Sequence, residues 1–123
     1  MKLTNNQIYN YSNALNTAFI DFNQRLPIKV NFYLQKNKVT LNDLAKDIEL
    51  ARTEIIRTHG KYNAETGETV VPDDQIESAI KEINDLFKLE QDVNIYMVKL
   101  EHFGEQVQMT PAQMEALLFM IEE

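Results

Sequence analysis

Between Pro27 and Gly60 one stripe of side chains recurs at alternating intervals of four and three: Val30, Leu34, Asn37, Leu41, Leu44, Ile48, Ala51 and Ile55. That alternation is the signature of a helix with one apolar face, and it predicts a single helix from Pro27 to His59. At 1.5 Å per residue such a helix is about 50 Å long. The residue before a proline avoids helical geometry, so the chain breaks at Leu26, and Pro27 suits the first turn, where a missing N–H does no harm. Gly60 is placed to end the helix, with Arg57 and His59 near the negative end of its dipole.

The stripe has three readings. It can pack against other helices of the same chain. It can serve as a self-association seam, with Leu34, Asn37, Leu41, Leu44, Ile48 and Ile55 forming a homodimer. In that register Leu34, Leu41, Ile48 and Ile55 take position a and Asn37 takes d, while Asp47 and Glu54 fall at g and Lys38 and Arg52 at e. Asp47 would then pair with Arg52 of a parallel partner helix. Third, Thr40 to Ile55 resembles a helix-turn-helix, with Ala45, Ile48, Leu50 and Ile55 at its apolar positions. Glu49, however, stands where that turn needs a left-handed glycine, which costs roughly 1–2 kcal/mol. A continuous helix costs nothing of the kind, so continuity is the expectation.

The flanking segments read as shorter elements. Thr4 and Gln7 have the spacing of a capping box, and Ile8, Tyr11, Leu15, Ala18, Phe19 and Phe22 form the stripe of a first helix ending near Arg25. Residues 61–73 are polar and contain Gly67 and Pro72, so they form a loop in which Val70 and Val71 can make a short strand. Asp74 and Glu77 suggest a second capping box, followed by the stripe Ile76, Ile80, Ile83 and Phe87. From Asp92 the period changes to two: Val93, Ile95 and Met97 alternate with Asn94, Tyr96 and Val98, as in a strand. Gly104 marks a turn, and Gln106 to Met109 supplies a partner strand. Thr110 caps a last helix with Pro111 at its first position and Met114, Leu117, Leu118 and Ile121 inward. The expectation is one domain over residues 1–123, mainly α with a small β element, a short hairpin or strand, near residues 92–109. Its long central helix packs against two flanking helices, and a C-terminal helix closes the fold.

Little in the sequence suggests catalysis. The chain has no cysteine, which removes disulfides, thiolate metal sites and a cysteine nucleophile. Three glycines leave no material for a phosphate cradle, and His59 and His102 belong to no ligand-spaced cluster. No cofactor, metal or enzymatic activity is therefore expected. The polar opening Met1 to Asn6 lacks the apolar run of a signal peptide, and no stretch has the length of a membrane span. A cytoplasmic location without membrane contact follows as the expectation.

Charge is the remaining signal. Residues 1–61 carry nine Lys/Arg and five Asp/Glu (+4), and residues 62–123 carry three and fourteen (−11), which accounts for the net −7. The excess concentrates between Asp73 and Asp92, where Asp73, Asp74, Glu77, Glu82 and Asp85 mark an acidic helix face facing only Lys81 and Lys88. Such a face repels phosphate, so nucleic acid is an unlikely partner, and it suits a basic protein surface.

The opening Met1-Lys2-Leu3-Thr4-Asn5, the run Leu26-Pro27-Ile28-Lys29-Val30, and the closing Met109-Thr110-Pro111-Ala112-Gln113-Met114-Glu115-Ala116-Leu117 together resemble an uncharacterised family of small phage and prophage proteins. Members of that family come from Gram-positive and gut bacteria. The resemblance spans most of the length and matches less clearly from Asp92 to Glu101. It implies a phage setting and a small accessory protein in the host cytoplasm, and it supplies no site residues. Three functions follow as expectations. First is a non-enzymatic inhibitor of a host protein, such as a CRISPR-type or other defence nuclease complex. Second is a virion assembly accessory self-associating through the central helix. Third is a helix-turn-helix DNA-binding regulator.

Overall fold

The computed structural model describes residues 1–20, 25–104 and 107–122. In chain order the elements are β1 (Lys2–Thr4), α1 (Asn5–Ala18), α2 (Ile28–His59), β2 (Lys61–Asn63), β3 (Glu68–Val70), α3 (Asp73–Lys88), β4 (Glu90–Asp92) and β5 (Val98–Lys99). A 3-10 turn (Leu100–Phe103), α4 (Pro111–Leu117), a second 3-10 turn (Leu118–Met120) and β6 (Ile121–Glu122) complete it. The fold is mainly α, and α2 is the continuous central helix that its stripe predicts, packed against α1 and α3.

α1 runs antiparallel to α2. Ser12 Oγ donates to Asn42 Oδ1 at 2.6 Å and Asn16 Nδ2 donates to the same oxygen at 3.1 Å, while Phe19, just past the end of α1, lines one cavity with Leu34 and Lys38, nearer the start of α2. The capping box of α1 is formed: Thr4 Oγ1 accepts from the Gln7 amide and Gln7 Oε1 from the Thr4 amide. The helix ends at Ala18, seven residues short of the expected Arg25. Gln113 Nε2 of α4 donates to the Ala18 carbonyl, the acceptor that a further turn would have used. Phe22, assigned to the same stripe by the sequence, lies outside the described residues.

The seam of α2 is filled by the chain itself. Val30, Leu34, Asn37, Leu41 and Ile48 are buried, Leu44 packs against the same core, and Ala51 and Ile55 are half-buried. These residues therefore present no free stripe to a second copy, and Arg52 pairs within its own helix with Glu49 at 3.1 Å. The helix runs through Glu49 without a turn, so the helix-turn-helix register is absent.

The β element differs from the expected hairpin near 92–109. Residues 107–109 form no strand, and β4 and β5 pair with the two ends of the chain. β1 and β4 are antiparallel with Leu3 opposite Gln91, and β5 and β6 are parallel with Val98 opposite Ile121. Local alternation gives each strand its face but not its partner, and residues far apart in sequence provide it. Val93 and Val98 are buried, with Ile95 and Met97 half-buried between them. The loop after α2 is itself an antiparallel hairpin, β2 against β3.

Buried side chains from α1, α2, the 93–98 segment and the C-terminal elements form one connected core. Thr110 caps α4 with Pro111 in its first turn, as the sequence indicates, and Gln113 completes a capping box that the sequence reading did not name. Leu118, expected inward, is exposed, because the helix tightens to a 3-10 turn there and directs Met120 and Ile121 inward instead.

Candidate protein-binding surface

α3 follows Pro72, whose fixed ring serves as N-cap without any side-chain hydrogen bond. The expected Asp74–Glu77 capping box is not formed, because Asp73 and Asp74 already lie within the first helical turn. There their carboxylates stabilise the positive end of the helix dipole instead.

The inner face of α3 is set by Ala79, which is buried, and by half-buried Ile83, Leu86 and Phe87. The sequence stripe placed Ile76 and Ile80 on that face. They are 39% and 53% exposed. The reason is where α1 lies: its first residue, Asn5, binds the Leu86 carbonyl near the end of α3, and the helix runs from there toward the start of α2. α1 has 14 residues and α2 has 32, so at 1.5 Å per residue α1 covers less than half of α2. Phe87 reaches α1 and meets Tyr9 edge-on, with ring centroids 5.7 Å apart. Ile80 and Ile76, two and three turns nearer the start of α3, have no such neighbour.

Acids surround this apolar pair. Asp73 precedes Ile76 by three residues and Glu77 precedes Ile80 by three, the spacing at which helical side chains adjoin. Asp74, Glu77 and Asp85 line one shallow depression together with Ile80, Lys81 and Lys88. The two lysines partly neutralise the face, more than its carboxylates alone suggest.

Glu82 departs from the other four acids. Its Oε2 lies 3.0 Å from His59 Nε2, and Gln75 Oε1 lies 3.0 Å from His59 Nδ1. Both partners offer oxygen, so the doubly protonated ring satisfies both by donating to each. The pKa of His59 is accordingly raised from 6.5, first by the Gln75 hydrogen bond and then by that of Glu82, against a smaller opposing effect of desolvation. A helix-end histidine reads from sequence as solvated, but this one locks the end of α2 to α3. His102 also has a structural partner, since its Nδ1 accepts from the Lys99 amide at 3.0 Å.

Two further buried polar residues, Asn5 and Ser12, went unread in the sequence. Asn5 is buried: its Nδ2 donates to the Leu86 carbonyl at 2.9 Å, its Oδ1 accepts from Gln91 Nε2 at 2.7 Å, and its amide donates to Leu89. The start of α1 thereby closes the end of α3. Ser12 joins α1 to α2 through Asn42. The third buried polar residue, Asn37, was legible as the polar member of an apolar stripe.

Among the described residues no group of three or more His, Asp or Glu side chains is arranged to hold a metal ion. No helix among them is long and apolar enough to cross a membrane. Comparison with models of known families, with curated proteins and with solved structures gave no match. Any functional reading rests on the geometry just described.

Proposed function

We propose that this chain is a non-catalytic binding protein that docks on a basic surface of another protein through the outer face of α3. One observation carries the reading: two exposed isoleucines, Ile76 and Ile80, sit beside the exposed carboxylates Asp73, Asp74, Glu77 and Asp85. Productive interfaces combine a small apolar anchor with a polar rim. The anchor supplies most of the affinity, and the rim supplies orientation and encounter rate. Ile76 and Ile80 have the first character and the acids the second. Glu82 is excluded from the contact set because His59 holds it.

The resemblance to phage accessory proteins extends this reading. A host protein that normally holds nucleic acid, such as a defence nuclease complex, offers the basic surface that this face complements, in the bacterial cytoplasm. The reading as a self-associating virion accessory has no comparable support, because the chain's own core fills the seam it requires.

The test is a pull-down from phage-infected host lysate with three baits: the wild type, D74K/E77K/D85K, and I76S/I80S. A host nuclease or nucleic-acid-binding protein retained by the wild type and depleted at least tenfold by both variants is the expected result. Undiminished retention by the variants would remove α3 as the contact. Recovery of capsid or tail proteins instead would make the chain a virion component.

A further inference from the structure

At the opposite end of α2 from this surface, a partly enclosed cavity of about 220 Å³ lies where the end of α1 meets the start of α2. Its described lining holds the apolar side chains Leu15, Phe19, Leu26 and Leu34 and the cations Arg25 and Lys38, and is completed by two neutral polar residues, Asn31 and Gln35. Two features separate it from an ordinary surface hollow. First, in a chain with a net charge of −7, no Asp or Glu is among its described lining residues. Second, its two cations are unused. Among the described residues the basic side chains in ion pairs are Lys2 with Glu90, Arg52 with Glu49, and His59 with Glu82. Lys29 and Lys36 of α2 lie over the rings of Tyr33 and Phe32, at 5.7 and 5.5 Å from their centroids. Among the described residues neither Arg25 nor Lys38 has a partner of either kind.

We infer that this cavity binds a small monocarboxylate carrying one aromatic or branched aliphatic group. The apolar wall takes the hydrocarbon body, and the carboxylate faces the guanidinium of Arg25 and the ammonium of Lys38. A guanidinium offers paired N–H donors in the geometry of a carboxylate, while a lysine contributes a point charge. The size fixes the class of ligand. Pockets for drug-sized molecules run from about 300 to 1,000 Å³. A cavity of about 220 Å³ exceeds the roughly 150 Å³ that holds benzene in an engineered core, and so suits a body of one ring. This site is independent of the α3 surface and stands or falls apart from it.

The probes are 3-phenylpropionate and its uncharged amide, titrated into the full chain and followed by amide chemical shifts and calorimetry. The expected result is saturable binding of the acid with shifts centred on Leu15, Leu26 and Leu34. The amide and the variants R25Q and K38Q should each bind at least tenfold more weakly. Both variants replace solvent-accessible side chains, and an unchanged circular dichroism spectrum would verify that they fold. Equal binding of acid and amide would overturn the assignment, as would shifts centred on another part of the molecule. So would binding only by a peptide ending in phenylalanine with a free carboxylate, because the occupant would then be a protein terminus.

Discussion

Asn37 shows how one polar residue in an apolar stripe organises a fold. It is fully buried, its Nδ2 donates to the Tyr96 carbonyl at 2.9 Å, and its Oδ1 accepts from the Tyr96 amide at 2.8 Å. One side chain thus replaces the strand that the irregular 93–97 segment lacks. Replacing it by leucine suits the stripe but leaves both backbone groups of Tyr96 unpaired. A buried unsatisfied group costs about 1–3 kcal/mol, so Asn37→Leu should lower stability by about 2–3 kcal/mol, read from the urea midpoint at constant slope. A neutral or stabilising result would show that these bonds carry no net weight. His59 gives the second prediction at this scale. Its folded-state pKa is raised, so its contribution is fully present below the unfolded value of 6.5 and is lost as pH rises through the higher folded value. The melting temperature of wild type relative to His59→Gln should therefore be higher at pH 5.5 than at pH 8.5. A difference independent of pH would mean that the charged form is not what α3 holds.

At the scale of elements, two glycines end two helical segments for different reasons. Gly60 closes α2 with φ −100°, a conformation open to any residue. What requires glycine there is space, since a Cβ would lie 2.5 Å from Thr69 Cγ2 and 2.7 Å from the Ile56 carbonyl oxygen. Gly104 ends the first 3-10 turn with φ +73° and open space around it. Gly60→Ala should therefore cost about 1–3 kcal/mol through overpacking, and a Thr69→Ser background should return part of it by removing one of the clashing groups. Gly104→Ala should cost about 1–2 kcal/mol from backbone strain alone, insensitive to its neighbours. Thermal denaturation of the three variants separates the two causes. Equal behaviour of Gly60→Ala in both backgrounds would assign its cost to the Ile56 carbonyl.

For the whole molecule, the division of charge into a +4 and a −11 half raises the question of whether the halves hold each other. The coordinates answer mainly in the negative. Among the described residues the ion pairs joining the halves are Lys2–Glu90, with both side chains more than half exposed, and His59–Glu82. Exposed pairs contribute at most about 1 kcal/mol, so self-repulsion from the net −7 outweighs attraction between halves. Raising sodium chloride from 20 to 500 mM at pH 7.5 should therefore raise the melting temperature by a few degrees. A fall would show that attraction between the halves dominates.

Local patterns in the sequence determined the central helix with both its boundaries, the capping box at Thr4, the cap at Thr110, and the mainly helical class. Each depends on residues within a few positions of one another, whose chemistry acts whatever surrounds them. The alternation from Asp92 likewise marked the face of Val93, which is buried, but it placed Val98, also buried, on the opposite face with Asn94 and Tyr96. The tertiary structure alone decided which element covers which face. The strand partners Leu3 with Gln91 and Val98 with Ile121 are joined across the chain, and nothing near them in sequence encodes the pairing. The acids of α3 were legible as a charged run. Removal of Glu82 from that run by His59 followed from the packing of α3 on α2, and exposure of Ile76 and Ile80 from where α1 begins beside α3. A helix stripe records which side chains are apolar, but burial requires a second surface that reaches them, and α1 starts where Asn5 binds the Leu86 carbonyl 81 residues away.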